Sequence, residues 1–365
     1  MKDLNQVVTK RLEQRIASGA INAQKALERI DAESRISQDF ITNIGKDAEQ
    51  RGMLFDSNGE VTLLMPTVKD HFGIHENAVY HLAERLSVPS GYLRLLVSGT
   101  EQQKALAARI LNDHSDWTNR KRVLVRAVGD EVRGVLSDQY RRLNSHQIIG
   151  AFVDQVHSTG AQIVDGHFTD TKLYVESLHP KPIIFDTPRN GQVAIAFGAR
   201  LSTSDYGDGA LDLRFYFMQG ICLNGMVRES VMRQIHLGSK LPEDLMLSQK
   251  TYDLDTATMV STISDLTAAL FSEQAIRNKV ESIRKASSKE IDIAATLTNL
   301  QKAGKLFKGE SKEVETILLN NNPDDGIQGE GTIWKLSQAI SAYGRNTEEK
   351  RSRELQEVAG ALIEE

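Results

Sequence analysis

Arg122–Leu136 reads RVLVRAVGDEVRGVL, and this stretch decides the fold. β-Branched residues stand on both sides of Gly129-Asp130, a pair suited to a tight turn, so a β-hairpin is expected. Arginines are interleaved with the apolar residues. If the ribbon alternates with period two, Arg122 and Arg126 share a face with Leu124 between them. Downstream, Ser145–Val156 has helical spacing, with Ser145 as its expected cap. Lys172–Leu178, Val193–Arg200 and Leu211–Gln219 read as further strands, the last two joined by the polar loop STSDYGDG. Hairpin, helix and strands in that order predict an α+β fold: a central twisted, mainly antiparallel sheet with helices on one face.

Helical patterns flank this core. Leu4, Val7, Val8, Leu12 and Ile16, then Ala23, Ala26, Leu27 and Ile30, recur at spacings of three and four. Gly19 is expected to separate two helices there. Met53–Met65 reads as a short hairpin turning at Asn58-Gly59. Residues 67–113 return to helical spacing, with Thr67 as an expected N-cap and a break at Val88-Pro89-Ser90-Gly91. Helix, break and helix fit either a helix-turn-helix or a plain helical hairpin, and Tyr92, Leu95 and Leu96 make the second helix too apolar for an obvious base-reading face. From Asp255 onward the pattern is helical again, with a loop at NNNPDDGIQGEG and a last helix from near Thr332. The expected division is 1–52 helical, 53–118 hairpin plus helical pair, 119–245 β-rich core, and 246–365 helical.

At 365 residues, with 40% hydrophobic and 25% charged side chains, the chain can bury a sizeable core without staples. Its single cysteine, Cys222, excludes an intramolecular disulfide and a multi-thiolate zinc site, which suits a reducing, cytoplasmic compartment. No secretion signal or membrane span is read from the sequence. The net charge of −5 gives no long-range attraction for a polyanion, so nucleic-acid contact would need a local basic patch.

Such a patch exists in sequence. Arg120, Lys121, Arg122, Arg126, Arg133, Arg141 and Arg142 face only Asp130, Glu131 and Asp138 within Arg120–Arg142, and Tyr140 adjoins the Arg141-Arg142 pair. Guanidinium groups fork onto phosphates and an aromatic ring stacks a base, the usual equipment for single-stranded nucleic acid. A solvated strand face with internally paired arginines has the same sequence. Cys222 and His236 admit a nucleophile and base, with Asn224-Gly225 as a turn offering N–H donors; they equally admit a buried thiol and a helix-end histidine. No HExxH or phosphate-loop pattern occurs, and no cofactor or metal is expected. Asp205, Asp208 and Asp212 lack the spacing of a calcium loop, and a hairpin loop is the simpler reading.

Three stretches resemble a phage/plasmid-like protein family that carries a domain of unknown function. They are AERLSVPSGYLRLL around Val88–Leu96, EVRGVLSDQYRRLNSHQII with Arg133, Ser137, Tyr140 and Asn144, and ICLNGMVRESVMRQIHLG with Cys222, Asn224, Gly225 and His236. GTIWKLSQAISAYGRN is similar to the family's closing helix. Asn144 departs from the aspartate seen in many relatives. The resemblance implies a mobile-element protein in a bacterial host, without an assigned active site. Together these readings point to a DNA-binding protein that holds or anneals single strands, working as a homo-oligomer. The alternatives are an interaction protein that binds a host defence factor or itself, and a hydrolase using Cys222 and His236.

Overall fold

The computed structural model describes residues 4–44, 52–66, 68, 70–118, 122–138, 140, 143, 145–220, 224–234, 248–320 and 327–364. The α+β class with helical N- and C-terminal regions is what it has, but its strands are divided between two sheets. The first holds β1 (Ser37–Asn43), β2 (Leu54–Asn58), β3 (Glu60–Met65), β4 (Asp70–Ile74), β5 (Arg122–Val128) and β6 (Glu131–Ser137), in the order β1-β5-β6-β4-β3-β2. Its pairs are antiparallel except β4 with β6. α2 (Glu76–Arg85), α3 (Ser90–Val97) and α4 (Glu101–Trp117) close a core of Phe55, Leu63, Leu82, Leu93, Leu111, Val123, Val125 and Val135.

The second sheet holds β7 (Gln162–Phe168), β8 (Leu173–Leu178), β9 (Ile183–Thr187), β10 (Gly191–Thr203), β11 (Leu211–Gln219) and β12 (Asn224–Gln234). The order is β12-β11-β10-β8-β7, with β9 added to β10, and every pair is antiparallel. One face carries α5 (Ser145–Ser158) and elements of the C-terminal region: α6 (Gln249–Leu270), α7 (Glu273–Ala286), α8 (Ile293–Lys302), α9 (Lys308–Asn320), α10 (Ile333–Gly344) and α11 (Glu349–Leu362). β10 shows why both faces are buried. Val193, Ile195 and Phe197 join that helical core, while Ala194 and Ala196 turn to the other face, where Val8, Leu12 and Ile16 of α1 (Leu4–Ile36) pack. Burying each large apolar side chain in this way contributes about 1.5–3 kcal/mol.

Several local expectations are corrected. Gly19 does not break the first helix: α1 runs unbroken for 33 residues, and a Cβ on Gly19 would lie 1.5 Å from the Val164 carbonyl oxygen. The glycine permits close approach of α1 to β7. The helix expected from Thr67 is preceded by β4, and its N-cap is His75, whose ring accepts from Asn77 N. Thr67 lies outside the described residues. Asn224-Gly225 begins β12, opposite Gln219 and Met218, and is not a turn. A Cβ on Gly225 would stand 2.5 Å from the Tyr216 hydroxyl, which accounts for glycine there. Ser145 is the first residue of α5, but its hydroxyl goes to Thr203 and Asp205. Among the described residues, no helix is long and apolar enough to cross a membrane.

Candidate functional site

The hairpin forms as expected, with Gly129 at φ +60° in its turn. Its arginines do not reach solvent as a cationic strip. Arg126 is buried; its Nε and Nη2 donate to the two Asp39 carboxylate oxygens at 2.7 and 2.8 Å. Its Nη1 donates to the Asp205 carbonyl at 2.8 Å. Burial alone would lower the Arg126 pKa, but the bonds to Asp39 and its charge overcome that and raise it. Arg133 donates to Glu33 at 2.8 Å and to Glu131 at 3.2 Å, with its guanidinium 5.6 Å from the Tyr206 ring centre. Arg122 is mostly buried, 3.9 Å from Asp138. Tyr140 is buried and donates to the Ser204 carbonyl at 3.1 Å, and burial raises its pKa.

These four positions therefore do not offer the phosphate and base contacts expected of them. A phosphate at Arg126 would have to displace a two-pronged carboxylate already in place. Arg120, Lys121, Arg141 and Arg142 lie outside the described residues, and so do Cys222 and His236.

What the hairpin face meets instead is the β10–β11 loop, which ties the two sheets together. Arg126 and Tyr140 hold its Asp205 and Ser204 carbonyls. Asn77 donates to both Arg133 O and Tyr206 O, each at 2.9 Å. The Tyr206 hydroxyl donates to Glu33 of α1 at 2.9 Å. The loop's carboxylates are engaged as well: Asp205 accepts from Ser145, Asp208 from Thr171 at 2.6 Å, and Asp212 from Arg214 at 2.7 Å. Among the described residues, no group of three or more His, Cys, Asp or Glu is placed to hold a metal ion.

Beside this joint lies a cleft of about 780 Å³. One wall is His75, Glu76, Asn77 and Tyr80 of the α2 end, with Arg94 of α3. Facing it are Lys172 of the β7–β8 turn and Tyr174 of β8, the β10–β11 residues Arg200, Ser202, Asp212 and Arg214, and the first turns of α11, including Lys350 and Arg353. The Arg353 guanidinium sits 4.0 Å from the Tyr174 ring centre and the Lys172 ammonium 5.0 Å from it. Tyr80 is half exposed. Arg200 is buried against Glu176 and Gln356. His167 lies 2.9 Å from Glu349, yet burial and the Arg353 charge lower its pKa.

The signs nearly balance in this cleft. Arg94, Lys172, Arg200, Arg214, Lys350 and Arg353 share it with Glu76, Asp170, Asp208, Asp212, Glu349, Glu354 and Glu357. Most are paired with one another: Arg94 with Glu76, Arg353 with Glu349, and Arg214 with both Asp212 and Glu357. Such a surface suits a ligand carrying both signs and disfavours a uniform polyanion.

The α2–α3 unit has the helix-turn-helix outline. Four residues, Leu86–Pro89, join the helices, and Ser87 adopts φ +57° where such turns often place glycine. Leu93 and Leu96 face inward, while Tyr92 and Leu95 are exposed and Arg94 is engaged by Glu76. The outward face of α3 is apolar, not basic. No sequence motif flagged Lys172, Tyr174 or Arg353, because only the fold brings β8 and α11 together. Comparison with protein-family models, with curated proteins and with solved structures finds no match.

Proposed function

We propose that this chain is a non-enzymatic binding protein, of the mobile-element kind that the motif resemblance implies, whose recognition surface is the cleft between α2 and the second sheet. Its ligand is a polar polypeptide segment of a partner protein, carrying charges of both signs. The observation supporting this reading is the near-balanced lining around two tyrosines, Tyr80 and Tyr174. Tyrosine supplies contact area at low entropic cost, and fixed charges of both signs select register. The oligonucleotide reading finds no support at Arg122, Arg126, Arg133 or Tyr140, and rests on Arg120, Lys121, Arg141 and Arg142.

A displayed peptide library, selected on the full chain and counter-selected on a Tyr80→Ala, Lys172→Glu variant, tests the proposal. Wild type should enrich mixed-charge peptides with dissociation constants on the order of micromolar, weakened roughly tenfold by either substitution alone. Enrichment that both proteins share equally, or none, refutes it.

A further inference from the structure

The charges of the cleft between α2 and the second sheet are not all matched, and those left over carry one sign. Each of its acids has a partner. Besides the pairs already described, Glu354 accepts from Arg351 at 2.6 Å, and Asp170 lies 3.8 Å from His75 and 4.0 Å from Arg29.

The cations differ. Lys172 is half-buried, yet among the described residues no acceptor or carboxylate is in reach of its ammonium. The ammonium is placed by shape instead. It stands 5.0 Å from the Tyr174 ring centre and close to Gly209, where a Cβ would lie 2.9 Å from Nζ. The same ring carries the Arg353 guanidinium at 4.0 Å. Arg353 gives Nη2 to Glu349 at 2.6 Å, but its buried Nη1 has no partner. Arg200, with its side chain 4% exposed, serves Glu176 and Gln356 through Nη2 and leaves Nε without one. Among the described residues these are the two arginine nitrogens buried without a partner, and both residues line this cleft. Buried N–H groups without acceptors are costly, so the site favours whatever brings an oxygen lone pair. α11 also begins here. Its N-cap, Glu348, makes no side-chain cap bond, so the first-turn N–H groups beside Lys350 add partial positive charge.

We propose that the cleft seats one carboxylate of the bound segment against Lys172, beside Tyr174, with Arg353, Arg200 and the start of α11 supplying the surrounding positive field. This deepens, and rests on, the reading of the cleft as a peptide-recognition surface. It holds one seat only. Asp208, Glu349 and Glu354 line the same cleft and repel a second anion, so a run of phosphates is disfavoured there. A singly charged carboxylate meets less of that repulsion than a phosphate dianion.

Three blocked tripeptides titrated into the full chain, labelled with [15N]arginine and followed by NMR, test the subsite and the source of the carboxylate. N-acetyl-Gly-Glu-Gly-amide offers only a side-chain carboxylate, N-acetyl-Gly-Gln-Gly only a terminal one, and N-acetyl-Gly-Gln-Gly-amide neither. At least one of the first two should shift the Arg200 and Arg353 Nε–H signals saturably in the millimolar range, more tightly than inorganic phosphate does, and the neutral peptide should not. Losing a charged hydrogen bond typically weakens binding tenfold or more, so Lys172→Gln should do so with circular dichroism unchanged. Lys302→Gln, the same charge change outside the cleft, should leave binding unaltered. No saturable shift, equal shifts with the neutral peptide, tighter binding of phosphate, or an unaffected Lys172→Gln would each overturn the subsite. The two readings fail separately. Saturable shifts without any selected library peptide would sink the peptide reading alone, whereas selected mixed-charge peptides whose acids are indifferent to Lys172→Gln would sink the subsite alone.

Discussion

Replacing Arg126 with methionine tests the buried ion pair of the first sheet on which the β10–β11 loop is anchored. The substitution keeps the aliphatic stem and removes the three guanidinium hydrogen bonds, two to Asp39 and one to the Asp205 carbonyl. It takes both guanidinium bonds from the Asp39 carboxylate, whose side chain is only 19% exposed. Stranding one member of a buried pair costs about 3–5 kcal/mol, and the lower half of that range applies because Asp39 keeps some solvent. Removing both charges together, as Arg126→Met with Asp39→Leu, takes away both members of this pair and should cost less than the sum of the single changes. Urea titrations followed by circular dichroism, with the slopes compared, read these values. If Arg126→Met costs under about 1 kcal/mol, or if the two changes simply add, Arg126 and Asp39 do not act as a coupled buried pair within the first sheet.

Two further outcomes are expected. Glu176 is buried, which would raise its pKa, but Arg200, Arg353 and Arg15 more than compensate and lower it. It therefore contributes stability that is present above the ordinary carboxylate range and is lost as pH falls through the depressed folded value. The stability–pH curve of Glu176→Gln should accordingly be flatter than wild type from about pH 5 downward, and parallel acid limbs would contradict this. Gly19→Val should cost roughly 2–3 kcal/mol or prevent folding by pushing α1 off Val164. Gly59→Ala, at φ +85° with open space around it, should cost only about 1 kcal/mol; equal losses at the two glycines in thermal melts would refute the close-approach account.

What the sequence shows depends on how local each signal is. The β5–β6 hairpin, β11 and the α10 cap are legible because their determinants are adjacent: Gly129 supplies the turn and Thr332 accepts from Lys335 N. β4 is hidden because it is only five residues long and carries Gly73, although it pairs with its neighbour β3 as well as with the distant β6. Gly19 and Gly225 read as breakers, yet they serve close approach of a helix and of a tyrosine hydroxyl. The arginines of the hairpin look free in sequence because Asp39 and Glu33, which engage Arg126 and Arg133, stand 87 and 100 residues away. The cleft combines α2, the β7–β8 turn and α11, elements that no local pattern connects.

Fluorescence anisotropy with a labelled single-stranded oligonucleotide, titrated at low and at physiological salt, most directly separates a mixed-charge recognition cleft from a cationic ribbon. Arginines spent on Asp39 and Glu33 inside a protein of net charge −5 predict no saturable signal at either salt concentration. Tight binding that falls steeply with salt, and that is abolished by reversing the charges of Arg141 and Arg142, would contradict it.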